Sequence, residues 1–408
     1  MSSEVMKMRQ GWRWSCLLLF PLLAVGAFGQ SVETVNGVRL VHNGKEGKWG
    51  KTPRVQAELV RTLGDVAAED ESVAFYMPAG VALDSKGNLY ILDTGNHRVQ
   101  KFAPDGRYLA SFGRQGQGPG DFAYPDSIDI DGEDLVWVSD PNNQRVQVLT
   151  PEGAVSRTVG FVKERVGKLR RTKTGLVMAG EGGVFFGGLE MEEKEQSLPK
   201  LFKKVDLNGK VTGEYGEPFD FKHPLVNQTG NQVTFAVDGN DCVYLAYSYQ
   251  NRVEKYSPEG KLLWRADRKL DYSTDSPKDK GKREVRGGNV TIQGPQMNQC
   301  AEGVAVDSAG RVWAVTLNRQ TKEEEQVGVN MSVTMGGGER KMSMKPSGNT
   351  DLRTTDMYRL DVFNQEGELL GSLPLDHFVD GIYIKGDRLF LWDAMRGAKF
   401  YEYKIKER

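Results

Sequence analysis

The chain has 408 residues, 38% hydrophobic and 27% charged, with 54 basic side chains against 55 acidic ones. A net charge of −1 supplies no field for holding nucleic acid or an anionic membrane surface. Glycine, at 48 residues, stands near 12% against a usual level of roughly 7%, and without a collagen period that means many tight turns, which excludes a helical bundle or a coiled coil. In chain order, residues 1–29 read as a signal peptide: Lys7, Arg9 and Arg13 precede a short apolar run from Cys16 to Val25, and Ala27 and Gly29 sit at the −3 and −1 positions of a cleavage site. About a dozen apolar residues are too few to span a bilayer, which needs roughly 20. Cys16 precedes the apolar run, which argues against a lipid anchor, and no later stretch is apolar enough to cross a membrane. The mature protein is therefore expected to be exported, periplasmic or secreted, with residues 30–53 as an N-terminal extension.

From Pro78 the sequence repeats itself. Pro78-Ala-Gly-Val-Ala-Leu-Asp84, Leu89-Tyr-Ile-Leu-Asp93 and Arg98-Val-Gln-Lys-Phe102 return as Pro125-Asp-Ser-Ile-Asp-Ile-Asp131, Val136-Trp-Val-Ser-Asp140 and Arg145-Val-Gln-Val-Leu149, at a constant offset of 47 residues. Each copy holds three short β-branched or aromatic runs, and a fourth follows at Tyr108 to Phe112 and at Ala154 to Phe161. Four antiparallel strands in about 40 to 50 residues make a propeller blade. A degenerate third copy runs through Lys168 to Thr172, Leu176 to Ala179 and Leu201 to Leu207. A fourth begins at Phe235, a fifth at Gly303, and a sixth at Gly381 ends after three strands. A ring must close, so Val55 to Leu63 is expected to pair with the C-terminal strand and hide two open sheet edges. The expected fold is all-β: a six-bladed β-propeller of four-stranded antiparallel blades over residues 54–408, one unit where length alone suggests two or three domains of about 150 residues.

The run from Pro78 to Phe102, with Asp93-Thr-Gly-Asn-His-Arg98 at its centre, resembles the NHL repeat, and Gly113 to Phe122 is similar to the linker that joins such repeats. The resemblance is close over residues 80–153 and weaker elsewhere. It implies a six-bladed propeller and no single chemistry, since NHL propellers include enzymes, sensors and binding modules. The family's zinc-dependent peptide-amidating lyase takes histidines from inner strands, whereas the corresponding starts here are Ala79, Asp126, Glu302 and Asp380.

The repeated Asp93, Asp140 and Asp393 end second strands, where a short carboxylate can accept from the N–H groups of the following loop. Arg98, Arg145 and Arg252 begin third strands and can reach a carboxylate of the same or the adjoining blade, so both sets read as structural. His97 is expected as a surface turn residue and a lesser candidate for the channel mouth. Strand order puts first-strand starts and second-strand ends on one face, the top, so Asp126, Glu302 and Asp380 would ring one mouth of the central channel. Three carboxylates could hold Ca²⁺ or a cationic ligand, or could be solvated rim residues. Otherwise no cofactor is expected: His42, His97, His223 and His377 lie at no close ligand spacing, and there is no nucleophile elbow or phosphate loop.

Three segments exceed what a blade needs, at 180–199, 266–299 and 318–356, and all fall on the top face, the usual binding side of a repeat protein. The second is charged and expected to be mobile. In the third, Val329 to Met335 and Met342 to Met344 alternate about a glycine turn, which predicts a β-hairpin. Met331, Met335, Met342 and Met344 could cap the channel, offer an adaptable surface to a protein partner, or ligate Cu(I). Cys242 enters a second strand at the bottom and Cys300 precedes a first strand at the top, too far apart for a disulfide, so two free thiols are expected. The leading expectation is a monomeric exported binding module taking a protein, peptide or small polar ligand at its top face. The alternative is a divalent-metal-assisted lactonase or lyase using the acidic mouth.

Overall fold

The computed structural model describes residues 24–25, 29–161, 166–179, 198–286, 289–336 and 339–408. The expected signal peptide and most of the first insertion, residues 180–197, lie outside the described residues. Six antiparallel sheets stand around a ring. Blade 1 runs through Gly80–Leu83, Leu89–Asp93, Arg98–Phe102 and Tyr108–Phe112; blade 2 through Ser127–Ile130, Val136–Asp140, Arg145–Leu149 and Val155–Gly160. Blade 3 is complete, with Lys168–Arg171, Gly175–Ala179, Phe202–Asp206 and Val211–Tyr215. Blade 4 comprises Val233–Val237, Val243–Tyr247, Val253–Tyr256 and Leu262–Arg268. Blade 5 comprises Ala301–Val306, Val312–Leu317, Tyr358–Phe363 and Leu369–Pro374. Blade 6 takes Gly381–Lys385, Arg388–Asp393 and Lys399–Glu407 from the C-terminus and its outer strand, Val55–Leu63, from the N-terminus. That outer strand pairs antiparallel from Phe400 with Leu63 to Glu407 with Val55, so the ring closes as the sequence led us to expect.

Alternation along each strand sends one set of side chains to each neighbouring blade. Ala82, Tyr90 and Leu92 of blade 1 thus meet Ile128, Val136 and Val138 of blade 2 in one buried cluster. Each such Leu, Ile or Val removed from water contributes roughly 1.5–3 kcal/mol. The repeated turn glycine has a packing reason besides its backbone: Gly153, at φ +89°, seats against the Phe112 ring of the blade before, and a Cβ there would collide with it. Gly260 sits the same way on Tyr215.

The N-terminal extension is built, not loose. Ser31–Val35 and Val38–Asn43 form a hairpin about Asn36-Gly37, both at positive φ, and Val38–Asn43 adds in parallel to the outer strand of blade 4. The chain then crosses to blade 5, where the Lys48 and Trp49 N–H groups donate to the Leu369 and Leu370 carbonyls at 3.0 and 2.7 Å. The second insertion also departs from expectation, since Lys282–Arg286 pairs with Asn289–Gln293. The third forms the expected hairpin, longer than anticipated: Val327–Gly336 pairs with Glu339–Gly348, with Met331 opposite Met344. Cys242 and Cys300 are free thiols. Among the described residues no helix is long and apolar enough to cross a membrane.

Candidate functional site

The repeated Asp and Arg residues tie each blade to the linker before it. Asp93, fully buried, accepts from Tyr76 N–H at 2.7 Å, Asn96 Nδ2 at 2.9 Å and Arg98 Nε at 2.8 Å. Asp140 repeats the pattern with Ala123 N–H, Asn143 and Arg145. Asp393 accepts from the N–H groups of Met395, Arg396 and Gly397. Arg252 pairs with the buried Glu254 of its own blade at 3.0 Å. These residues hold backbone in place, the structural role expected of them.

His97 corrects an expectation. It is buried rather than exposed, in a left-handed cap after a 3₁₀ turn, and its Nδ1 accepts from the Tyr124 N–H at 2.9 Å. Burial lowers its pKa to about 4, so the neutral ring carries its proton on Nε2. The linker folds back over this loop, and its Tyr124 packs edge-on against the ring.

Glu302 and Asp380 stand on adjoining blades, near enough for the charge of Asp380 to act on Glu302. Glu302 occupies a β-bulge: Ala301 pairs with Thr316 and Gly303 with Val315, leaving Glu302 as the extra residue on the inner strand of blade 5. A bulge re-aims the side chain it carries. Its Oε1 accepts from Gln299 Nε2 at 2.6 Å. Gln299 is itself clamped by Gln320, whose Oε1 accepts from the Gln299 N–H while its Nε2 donates to the Gln299 carbonyl. This joins the roots of the second and third insertions. Asp380, at the start of blade 6, accepts from the Ala394 N–H at 2.7 Å.

The blade walls half-bury both carboxyls. Burial pushes Glu302 up to about 8, and the charge of Asp380 adds to the shift against the pull of Gln299, Lys168 and Tyr358. Burial, then the charge of Asp393, raises Asp380 to about 6. Asp126 is half-buried on blade 2, while the other two carboxyls stand on the adjoining blades 5 and 6. Among the described residues no three His, Cys, Asp or Glu side chains come together as a metal site.

The third insertion overhangs this mouth. At its root, Glu325 receives a two-pronged bond from Arg319 at 2.6 and 2.7 Å and a bond from Thr355 Oγ1 at 2.8 Å. The buried Arg396 of blade 6 donates to the Glu325 carbonyl at 2.6 Å. Farther out, the Tyr76 hydroxyl before blade 1 donates to the Met344 carbonyl at 3.0 Å. The hairpin therefore reaches from blade 5 past blade 6 to blade 1. Met344 is buried against the ring; the side chains of Met331, Met335 and Met342 lie outside the described residues.

Fold and mouth together define a six-bladed β-propeller with an elaborated top face. Its first blade is an NHL repeat: the sequence profile of that repeat matches residues 75–102. A stretch of 52 residues is 36% identical to the protein brain tumor of Drosophila melanogaster, a match spanning 13% of this chain and 5% of that protein. A solved structure of a duf4221 family member from Bacteroides vulgatus superposes with a TM-score of 0.54 at 11% identity, covering 88% of this chain and 100% of that one. A candidate exported protein from Bacteroides fragilis superposes at 0.50 and 8% identity, over 90% and 99% of the two chains. At these identities the likeness shows the fold alone.

Proposed function

We propose that this protein is an exported binding module that takes a polar ligand, or a polar segment of a partner, at the top mouth of its channel. One contrast carries the reading. Five buried carboxylates of the ring are matched by arginines: Asp93 by Arg98, Asp140 by Arg145, Glu254 by Arg252 and Arg265, Asp361 by Arg268 and Arg359, and Glu402 by Arg61 and Arg388. Asp84 and Asp393 carry no arginine and are held instead by several N–H groups of the turns that follow them. Glu302 and Asp380, half-buried on adjoining blades, are in no ion pair of the described residues, and the charge of one raises the other, an arrangement that suits a polar ligand. The overhanging hairpin and the Gln299–Gln320 clamp support the reading by giving the mouth fixed walls.

The test is a thermal-shift panel of amines, amino acids, sugars, lactones and Ca²⁺ on the wild type and on Glu302→Gln. Binding predicts at least one compound that stabilises the wild type and leaves the variant unmoved. Turnover of a lactone that Glu302→Gln abolishes would replace the binding reading with an enzymatic one. For export, the full chain expressed in a bacterial host should leave the cytoplasm and begin at Gln30. Retention there with an intact N-terminus would remove that part of the reading.

A further inference from the structure

We propose that the outer edge of blade 4 is a strand-binding surface, separate from the channel mouth, which accepts an extended cationic segment of a partner polypeptide in the place now held by the chain's own residues 38–43.

The seat is one sheet edge. Val38–Asn43 lies parallel to Leu262–Arg268, from Arg39 opposite Trp264 to Asn43 opposite Arg268, whereas the strand pairs within blade 4 are antiparallel. The segment therefore enters as a strand from outside the meander. Among the described residues no other blade carries an added strand. A peptide that extends a sheet in this way takes affinity from main-chain bonds and specificity from its alternate side chains.

Those side chains meet two kinds of surroundings. Val41, 1% exposed, enters the apolar seam formed by Trp264 and Ala266 of blade 4 with Phe363 and Leu369 of blade 5. Asn43 is buried too and bridges the same two blades. Its Nδ2 donates to the Asp267 and Gly367 carbonyls at 2.9 and 3.1 Å, and its Oδ1 accepts from the Leu369 N–H at 2.7 Å. A strand without a carboxamide at that position forfeits all three bonds.

The rim selects cations. His42 Nδ1 donates to Asp267 Oδ2 at 2.7 Å, and Arg39 donates to Glu368 at 3.0 Å and to the Glu366 carbonyl at 3.2 Å. Beyond the paired strand, Lys45 meets Asp271 and Lys48 meets Glu368. In each of these four ion pairs the cation belongs to the added segment and the carboxylate to the ring. Arg265 and Arg268 of the accepting strand do not offset the acidic rim, because Glu254 and Asp361 hold them at 2.7 Å. Exposed pairs of this kind add little affinity each, but they decide which strand approaches.

Ring closure does not depend on the resident segment. Gly50, at φ +63°, and the exposed Lys51, Thr52 and Arg54 lead to the buried Val55, where the outer strand of blade 6 begins and pairs with the C-terminal strand. Residues 38–43 can leave the edge of blade 4 while blade 6 stays sealed. A tether this short holds them at an effective concentration of about millimolar, so a partner enters where their own hold is weakened.

Fluorescence anisotropy of a labelled peptide spanning residues 38–49, titrated with the full chain, tests this. Asn43→Ala in the chain loosens the resident segment and leaves the seat intact; Arg39→Glu does the same from a more exposed position and serves if the buried variant does not fold. Each variant should bind the peptide about tenfold more tightly than the wild type, one peptide per chain, with affinity falling as salt rises. A peptide of different sequence that keeps only the apolar, asparagine and cationic positions should bind alike. Peptides with glutamate in place of the cations, or alanine in place of Asn43, should not bind. Equal affinity of wild type and variants, binding indifferent to peptide charge, or no binding overturns the proposal. If only the native sequence binds, or the variants dimerise by exchanging residues 30–49, the occupant is a second copy of this chain and the partner proposal fails.

Discussion

Replacing Glu302 by Gln should change how stability depends on pH more than it changes stability itself. Glu302 is raised from an ordinary 4.5 to about 8 in the folded protein. Between those values the native state holds a proton that the unfolded chain has lost, so stability is fully present below the lower value and falls as pH rises through the upper one. The limiting slope is about 1.4 kcal/mol per pH unit. Glu302 is half-buried, so solvent screens it and a total loss of about 2 kcal/mol between pH 5 and pH 8.5 is the scale to look for. The glutamine side chain keeps the shape, can still bond with Gln299, and cannot ionise. Urea unfolding of both proteins from pH 5 to 8.5 should therefore give curves that nearly meet at the acid end and separate at the alkaline end, with the variant the more stable. Parallel curves would refute the claim that Glu302 is desolvated and unpaired.

Other parts of the account predict separate outcomes. Arg145→Ala leaves the buried Asp140 without its cation and should cost about 3 kcal/mol, read as a lowered urea midpoint. Phe400→Ala, in the strand that receives Val55–Leu63, should cost about 3–5 kcal/mol by opening a cavity at the seam where the ring closes. Nitrogen NMR should show His97 neutral at pH 5.5, protonated on Nε2, since its depressed pKa holds it uncharged until pH falls toward 4; the stability this confers is present above pH 6.5 and lost on acidification. Tyr76→Phe removes the bond to Met344 and should speed proteolytic cleavage within residues 327–348 without lowering the melting temperature by more than about 2 °C.

Much of the fold was legible because each blade repeats one pattern of turns and alternating runs, and because a C-terminal blade of three strands demands a fourth from elsewhere. The N-terminal hairpin was missed although its signal was present: Asn36-Gly37 between two β-branched runs is the strongest short-range hairpin pair. Its docking on blade 4 was not legible, since a parallel pairing between residues 38–43 and 262–268 has no local pattern. The strand register was legible, since Glu302 lies near the start of the first strand of blade 5 and Asp380 immediately precedes that of blade 6. The bulge that aims Glu302 depends on how blade 5 pairs across the Gly303 step, which no local rule fixes. His97 was misjudged because its burial comes from a linker that folds back from Tyr124, a tertiary effect absent from the His-Arg motif itself.

The account rests most heavily on one uncompensated carboxyl. Carbon NMR of the full chain with ¹³Cδ-labelled glutamate, assigned by the loss of one signal in Glu302→Gln, reads it directly. One glutamate should titrate near pH 8. A Glu302 signal titrating in the ordinary range near 4.5 would contradict the central claim.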